Sequence, residues 1–118
     1  MKSFKKPLII LSTWIVVACN NDSKITRLLK SEKAYEVILG AFEAGESGNK
    51  KFVPLLLDNC ADERSTTNIQ FKGFTVYEEK MAALRKIYKK EPPVKISWKP
   101  DSTIIKFYIE YAKENIDK

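Results

Sequence analysis

Three lysines stand within the first six residues, MKSFKK, and Pro7 then leads into the largely apolar run Leu8 to Ala18, LIILSTWIVVA. This opening constrains the chain more than any other feature. At about 1.5 Å per residue, a helix of eleven residues covers roughly 16 Å of a hydrocarbon core about 30 Å thick, so the run is too short to span a membrane. A basic start, a short apolar stretch and a small residue before a polar boundary form a secretory signal pattern, in which the lysines stay cytoplasmic while the apolar run enters the bilayer. The organisation read from the sequence is therefore a signal peptide over 1–18, a polar tether over 19–24 (CNNDSK) and one small domain over 25–118.

The run closes on Val16-Val17-Ala18-Cys19, followed by Asn20-Asn21-Asp22. These four residues, behind that leader, resemble the lipobox of bacterial lipoproteins, in which an apolar residue, a small or β-branched residue and Gly or Ala precede a Cys. The resemblance implies cleavage between Ala18 and Cys19, a diacylglyceryl thioether on Cys19 and acylation of the new amino group. It also implies a lipid bilayer as the partner of Cys19, and a place on the cell membrane or outer membrane, facing the periplasm or the cell surface. An ordinary secretory signal, with Val16 and Ala18 as the small pair before the cut, reads the same residues without a lipid.

Losing the leader changes the charge. The whole chain has 21 Lys+Arg against 15 Asp+Glu; three lysines leave with residues 1–18, so 18 against 15 remain, a net of +3. That is weak steering towards anionic surfaces and no nucleic-acid footprint. The absence of His removes Ser-His and Cys-His nucleophile pairs and every His-containing zinc site, and two Cys cannot make a four-thiolate site. The reading carries no cofactor and no metal. With Cys19 lipidated, Cys60 has no intrachain partner and reads as a buried small hydrophobe.

The patterning predicts a mainly α fold, a small antiparallel helical bundle or a HEAT-like stack of helical hairpins. Tyr35, Ile38, Leu39 and Phe42 share one face of a helix over 31–44, which Gly45 and Gly48 end. Ile25, Leu28 and Leu29 extend it backwards or pack beneath it. Asn49 caps a second helix in which Pro54 forces a kink or a later start. Residues 58–68 are turn chemistry, and Ile69 to Phe74 alternates as a short extended stretch. Thr75 and Glu78 form a capping box for a helix with acidic Glu78 and Glu79 at its start and Arg85, Lys86, Lys89 and Lys90 towards its end. Its apolar stripe is Tyr77, Met81, Leu84, Ile87 and Tyr88, and Pro92-Pro93 stops it. At the end of the chain, a helix capped by Asp101 puts Ile104, Phe107, Tyr108, Tyr111 and Ala112 on one face. The alternative is an α+β fold with a β-hairpin over 94–111.

Residues 52–88 resemble a HEAT-type helical hairpin, carried by Phe52-Val53-Pro54-Leu55-Leu56-Leu57, the turn Asp62-Glu63-Arg64 and the run Met81 to Ile87. The resemblance implies a stacked helical scaffold that binds macromolecules on one face. The stretch Ser65 to Phe74 departs from that pattern by separating the turn from the second helix.

Catalytic and ligand motifs fare poorly. Gly40 to Glu46 has the glycine spacing of a phosphate loop, but Glu46 stands where that loop needs Lys. Asp58, Asp62, Glu63 and Arg64 lack the alternating spacing that aims several oxygens at one cation. Glu43 and Glu46 read as polar surface. Binding is read instead at Trp98, Tyr88, Lys89 and Lys90. For the lysines the helix dipole is the simpler account, and for Trp98 a place over the core edge. The function expected is a membrane-anchored, non-catalytic binding or scaffold module for an envelope protein; the alternatives are a small periplasmic enzyme and an inhibitor or immunity protein.

Overall fold

The computed structural model describes residues 21–115. The expected signal peptide over 1–18, its expected cleavage point at Ala18 and Cys19, and the last three residues lie outside that range. Among the described residues there are five α-helices and no strand: α1 over 21–29, α2 Ala34–Ser47, α3 Val53–Leu57, α4 Val76–Tyr88 and α5 Ser102–Glu114. The mainly α bundle is the observed fold, and the hairpin alternative falls. Residues 94–98 are irregular and 102–114 are helical.

Helix wins at the C-terminus because of which residues are buried. Asp101 caps α5, its Oδ1 accepting from the Thr103 amide at 2.8 Å. Ile104 and Tyr108, one turn apart, are fully buried, whereas Ile105 and Ile109, which alternation in a strand would put on one face, are half-buried. Tyr108 donates its hydroxyl proton to the Lys90 carbonyl at 2.8 Å, fastening α5 to the chain just past α4.

The polar stretch 21–24, expected as tether, is instead the first described turn of α1. Asp22 pairs with Lys51 at 2.7 Å. Ile25, Leu28 and Leu29 are buried beneath α2. Ser31 breaks the two helices apart, accepting from the Lys33 amide at 3.1 Å and donating to Glu36 at 2.6 Å.

α2 starts and ends three residues later than the periodicity predicts. Gly48, at φ 66, is its left-handed cap; Gly45 lies inside the helix. The reason Gly45 is there is contact. A Cβ at 45 would sit 3.0 Å from Ala83 Cα of α4, and one at Gly40 would sit 2.9 Å from Leu28 Cβ of α1. The two glycines that mimicked a phosphate loop thus bring helices together on two sides of α2. The most buried face of α2 is accordingly made of small residues, Ala41, Ala44 and Gly45 beside Ile38. The predicted bulky stripe is half-buried at its edge, where Tyr35 and Phe42 flank Phe71 at ring distances of 6.2 and 5.6 Å.

Pro54 resolves as a later start. Asn49 caps a 3₁₀ turn, Lys50–Phe52, its Oδ1 accepting from the Lys51 amide at 3.0 Å, and α3 follows with Pro in its first turn. α3 has only five residues, so the long helix lying along α4 is α2. Ile69 to Phe74 is not extended: Asn68 caps a second 3₁₀ turn, Ile69–Phe71, and Gly73 at φ 89 turns the chain back. One core unites Phe52, Leu56, Met81, Leu84, Ile104 and Tyr108; a smaller one gathers Val37, Ile38 and Val76 around Phe71.

Two outcomes follow from this packing. Gly45→Ala forces Ala83's backbone away and costs about 1–3 kcal/mol, offset in part by up to about 1 kcal/mol of helix propensity; urea unfolding of the variant shows a lower midpoint at an unchanged slope. Burial pushes the Tyr108 hydroxyl up to about 12 from 10.0. Between those pH values the unfolded chain ionises first, so folding stability falls as pH rises, by at most about 2–3 kcal/mol from this group. Tyr108→Phe, monitored by circular dichroism across that window, flattens the decline.

Candidate functional site

The first turn of α4 organises the polar chemistry of the domain. A helix leaves four amides without intrahelical partners at its start. Here the Thr75 amide donates to Glu78 Oε1 at 3.4 Å, Val76 to the Arg64 carbonyl at 2.8 Å, Tyr77 to the Asp62 carbonyl at 2.8 Å and Glu78 to Thr75 Oγ1 at 3.1 Å. The predicted capping box is present and completed by the loop before it. Thr75 Oγ1 also donates to the Trp98 carbonyl at 3.2 Å, which draws the 94–98 segment across the start of α4.

That tie sets Trp98 in place with its side chain outward. Trp98 is 59% exposed, so it does not cover the core edge. Phe74, beside Thr75, is 43% exposed, and Ile69 (92%) and Val94 (45%) are exposed as well. Phe74 and Ile96 line one cleft of about 400 Å³ with Phe42, Phe71 and the stem of Lys86. Lys86 is held over the Phe42 ring at 4.9 Å and pairs with Glu46 at 2.8 Å. Glu79 lies on the same cleft wall, and burial pushes its carboxyl up despite the nearby Lys86. The cleft thus mixes aromatic and aliphatic walls with the charged side chains Glu78, Glu79, Arg85 and Lys86.

Tyr88, Lys89 and Lys90 lie elsewhere. They end α4, thirteen residues and roughly 20 Å from its start. Tyr88 meets the Tyr111 ring edge-on at 4.8 Å. Lys89 is the left-handed cap at φ 53, and the Lys90 carbonyl is the acceptor for Tyr108. The structure therefore separates the four candidate binding residues into an exposed aromatic at one end of α4 and a basic cap at the other. Cys19 and Ala18 lie outside the described residues.

The Asp58 to Arg64 turn is structural. Arg64 grips both oxygens of Asp62 at 2.7–3.1 Å and reaches the Glu32 carbonyl at 2.7 Å. Burial alone would raise the Asp62 carboxyl, but the hydrogen bonds from Arg64 outweigh it and hold it below its usual range. Among the described residues no group of His, Cys, Asp or Glu is arranged to hold a metal. Beneath the turn lies a residue that the motif reading passed over, Lys80. It is 4% exposed, and its ammonium donates to the Asp58 carbonyl at 2.7 Å. Its signal was register: 80 falls one turn from Val76, Tyr77 and Leu84, on the apolar stripe. Cys60 beside it is a free buried thiol whose pKa burial raises, the setting of an inert cysteine.

Comparison with known protein families, curated proteins and solved structures returned no match to this chain.

Burial lowers the pKa of Lys80 from 10.5. The unfolded chain then holds this proton to higher pH than the folded one, so the cost of burying the charge fades as pH rises towards 10.5. Relative to Lys80→Met, the native protein gains stability through that range; paired urea titrations at neutral and alkaline pH give the difference, with the tyrosines common to both.

Proposed function

We propose that the chain is a bacterial lipoprotein, acylated at Cys19, whose folded part is a non-catalytic binding module for another envelope protein. The observation that carries the reading is Val16-Val17-Ala18-Cys19 behind a lysine-rich start and eleven residues of apolar run. A single acyl chain binds a bilayer only marginally, at about 10⁴ M⁻¹, whereas the three chains of a mature lipoprotein anchor stably.

Two features of the domain support a binding role. Phe74, Val94, Trp98 and Ile69 are large apolar side chains left exposed on the described surface, and Trp is among the residue types most enriched at energetic anchors of interfaces. The helix already holds residue 21, two positions after Cys19, so an acyl anchor on Cys19 keeps the module close against the bilayer. A partner is then met in the membrane plane or just above it.

Intact-mass spectrometry of the membrane-extracted protein tests the anchor. A chain beginning at residue 19 with added acyl mass is the expected result; a chain starting there without lipid, released to the soluble fraction, refutes it. The contact patch is tested by Trp98→Ala, an exposed change that leaves the fold intact and weakens partner binding by about 2 kcal/mol, roughly thirtyfold, in co-purification from membranes.

A further inference from the structure

The outward stripe of α4 carries an order of charge that complements itself. Glu78 and Glu79 stand near its start, Arg85 and Lys86 stand seven residues after each, and Ala82 lies midway. Seven residues fall about 20° short of two turns, so Lys86 lies nearly in line with Glu79, and Arg85 with Glu78, about 10.5 Å along the helix. The two lines run on opposite flanks of Ala82. A second α4, turned end over end and laid face to face, sets its Lys86 opposite Glu79 on one flank. On the other flank it sets its Arg85 opposite Glu78. Two-fold symmetry makes each pair occur twice. A copy laid parallel would set like charges together.

One chain alone leaves these charges poorly matched. The Glu79 carboxylate makes no hydrogen bond or ion pair among the described residues, although burial pushes its pKa up. Arg85 reaches only the exposed Glu91, at 3.8 Å, and Lys86 holds Glu46 from its exposed side. Ala82 presents a single methyl at the centre of the stripe, which lets a second helix approach closely. Phe74 and Ile96 line the cleft that opens over this face. Surface ion pairs bind weakly by themselves, so the apolar contact supplies affinity and the charges set direction and register. End-over-end rotation carries Phe74, at the start of one α4, towards the Phe42 and Lys86 end of the other cleft. An unrelated helix would need this same order of charges; a second copy of the chain has it by construction.

We propose that the protein forms an antiparallel two-fold dimer through the outer face of α4, Ala82 meeting Ala82 near the axis, Glu79 pairing with Lys86 and Glu78 with Arg85 across it. The dimer requires neither acylation of Cys19 nor an envelope partner. Trp98 is not among the walls of the cleft and stays available for the contact assigned to it above.

Analytical ultracentrifugation of the full chain, in mild detergent at more than one micelle per chain, tests this. The native chain sediments as a dimer at about 100 µM and dissociates on dilution. Glu79→Lys and Lys86→Glu each set like charges opposite one another at two symmetry-related points and weaken the dimer about tenfold or more, with unchanged circular dichroism. An equimolar mixture of the two variants regains the dimer, because each supplies the charge that the other has lost. The double variant, Glu79→Lys with Lys86→Glu, dimerises by itself. A native chain that is monomeric at that concentration, a dimer indifferent to both reversals, or a mixture and a double variant that both stay monomeric overturns the proposal. Should Glu79→Lys fail to fold, Lys86→Glu and the double variant decide. Intact mass reads the anchor and Trp98→Ala reads the partner, so neither result stands in for this one.

Discussion

Four backbone amides at the start of α4 have to find acceptors, and the way they do so arranges the rest of the domain. Two are met by the capping box that Thr75 and Glu78 build between themselves. The other two are met by carbonyls of Asp62 and Arg64, so the irregular chain from 58 to 74 is pinned at a point where it would otherwise wander. Arg64 passes the constraint on to the Glu32 carbonyl, just ahead of α2, and Thr75 passes it to Trp98. Loops of this length lose considerable entropy on ordering, and these bonds, together with buried Phe71, are what oppose that loss.

The core and the polar surface are thereby separated in kind. Around α4 the apolar residues fill space, with one charged exception in Lys80, whose head is satisfied by a carbonyl and whose stem packs among hydrophobic neighbours. The exposed aromatics sit on irregular segments instead of helices. That division is the usual one between a rigid scaffold and the loops that make contacts.

Local chemistry was legible in the sequence wherever neighbours along the chain decide the outcome. The capping box at Thr75, the cap at Asp101 and the effect of Pro54 each depend on residues within four positions of one another. What escaped was decided at long range. Gly45 reads as a helix stop until Ala83 is known to press on it, and Ile69 to Phe74 alternates like a strand until Asn68 is seen to cap a turn. The bulky stripe of α2 misled for the same reason: a helix flanked on two sides buries its small residues deepest. Of the residues read as binding candidates, Trp98 was recognisable as an aromatic, but its distance from Tyr88 depends on which end of α4 each segment crosses.

The two glycines of α2 act together as a gauge. They are five residues apart, which in a helix is an advance of about 7.5 Å and a rotation of about 140°. One meets Leu28 of α1 and the other Ala83 of α4, so that offset fixes where those two helices stand relative to each other. Insert or delete a single residue between them and one contact swings by about 100°, presenting a bulkier side chain to a neighbour that has no room for it. Length between positions 40 and 45 is therefore as tightly specified as identity, a form of constraint that substitution experiments alone never reveal.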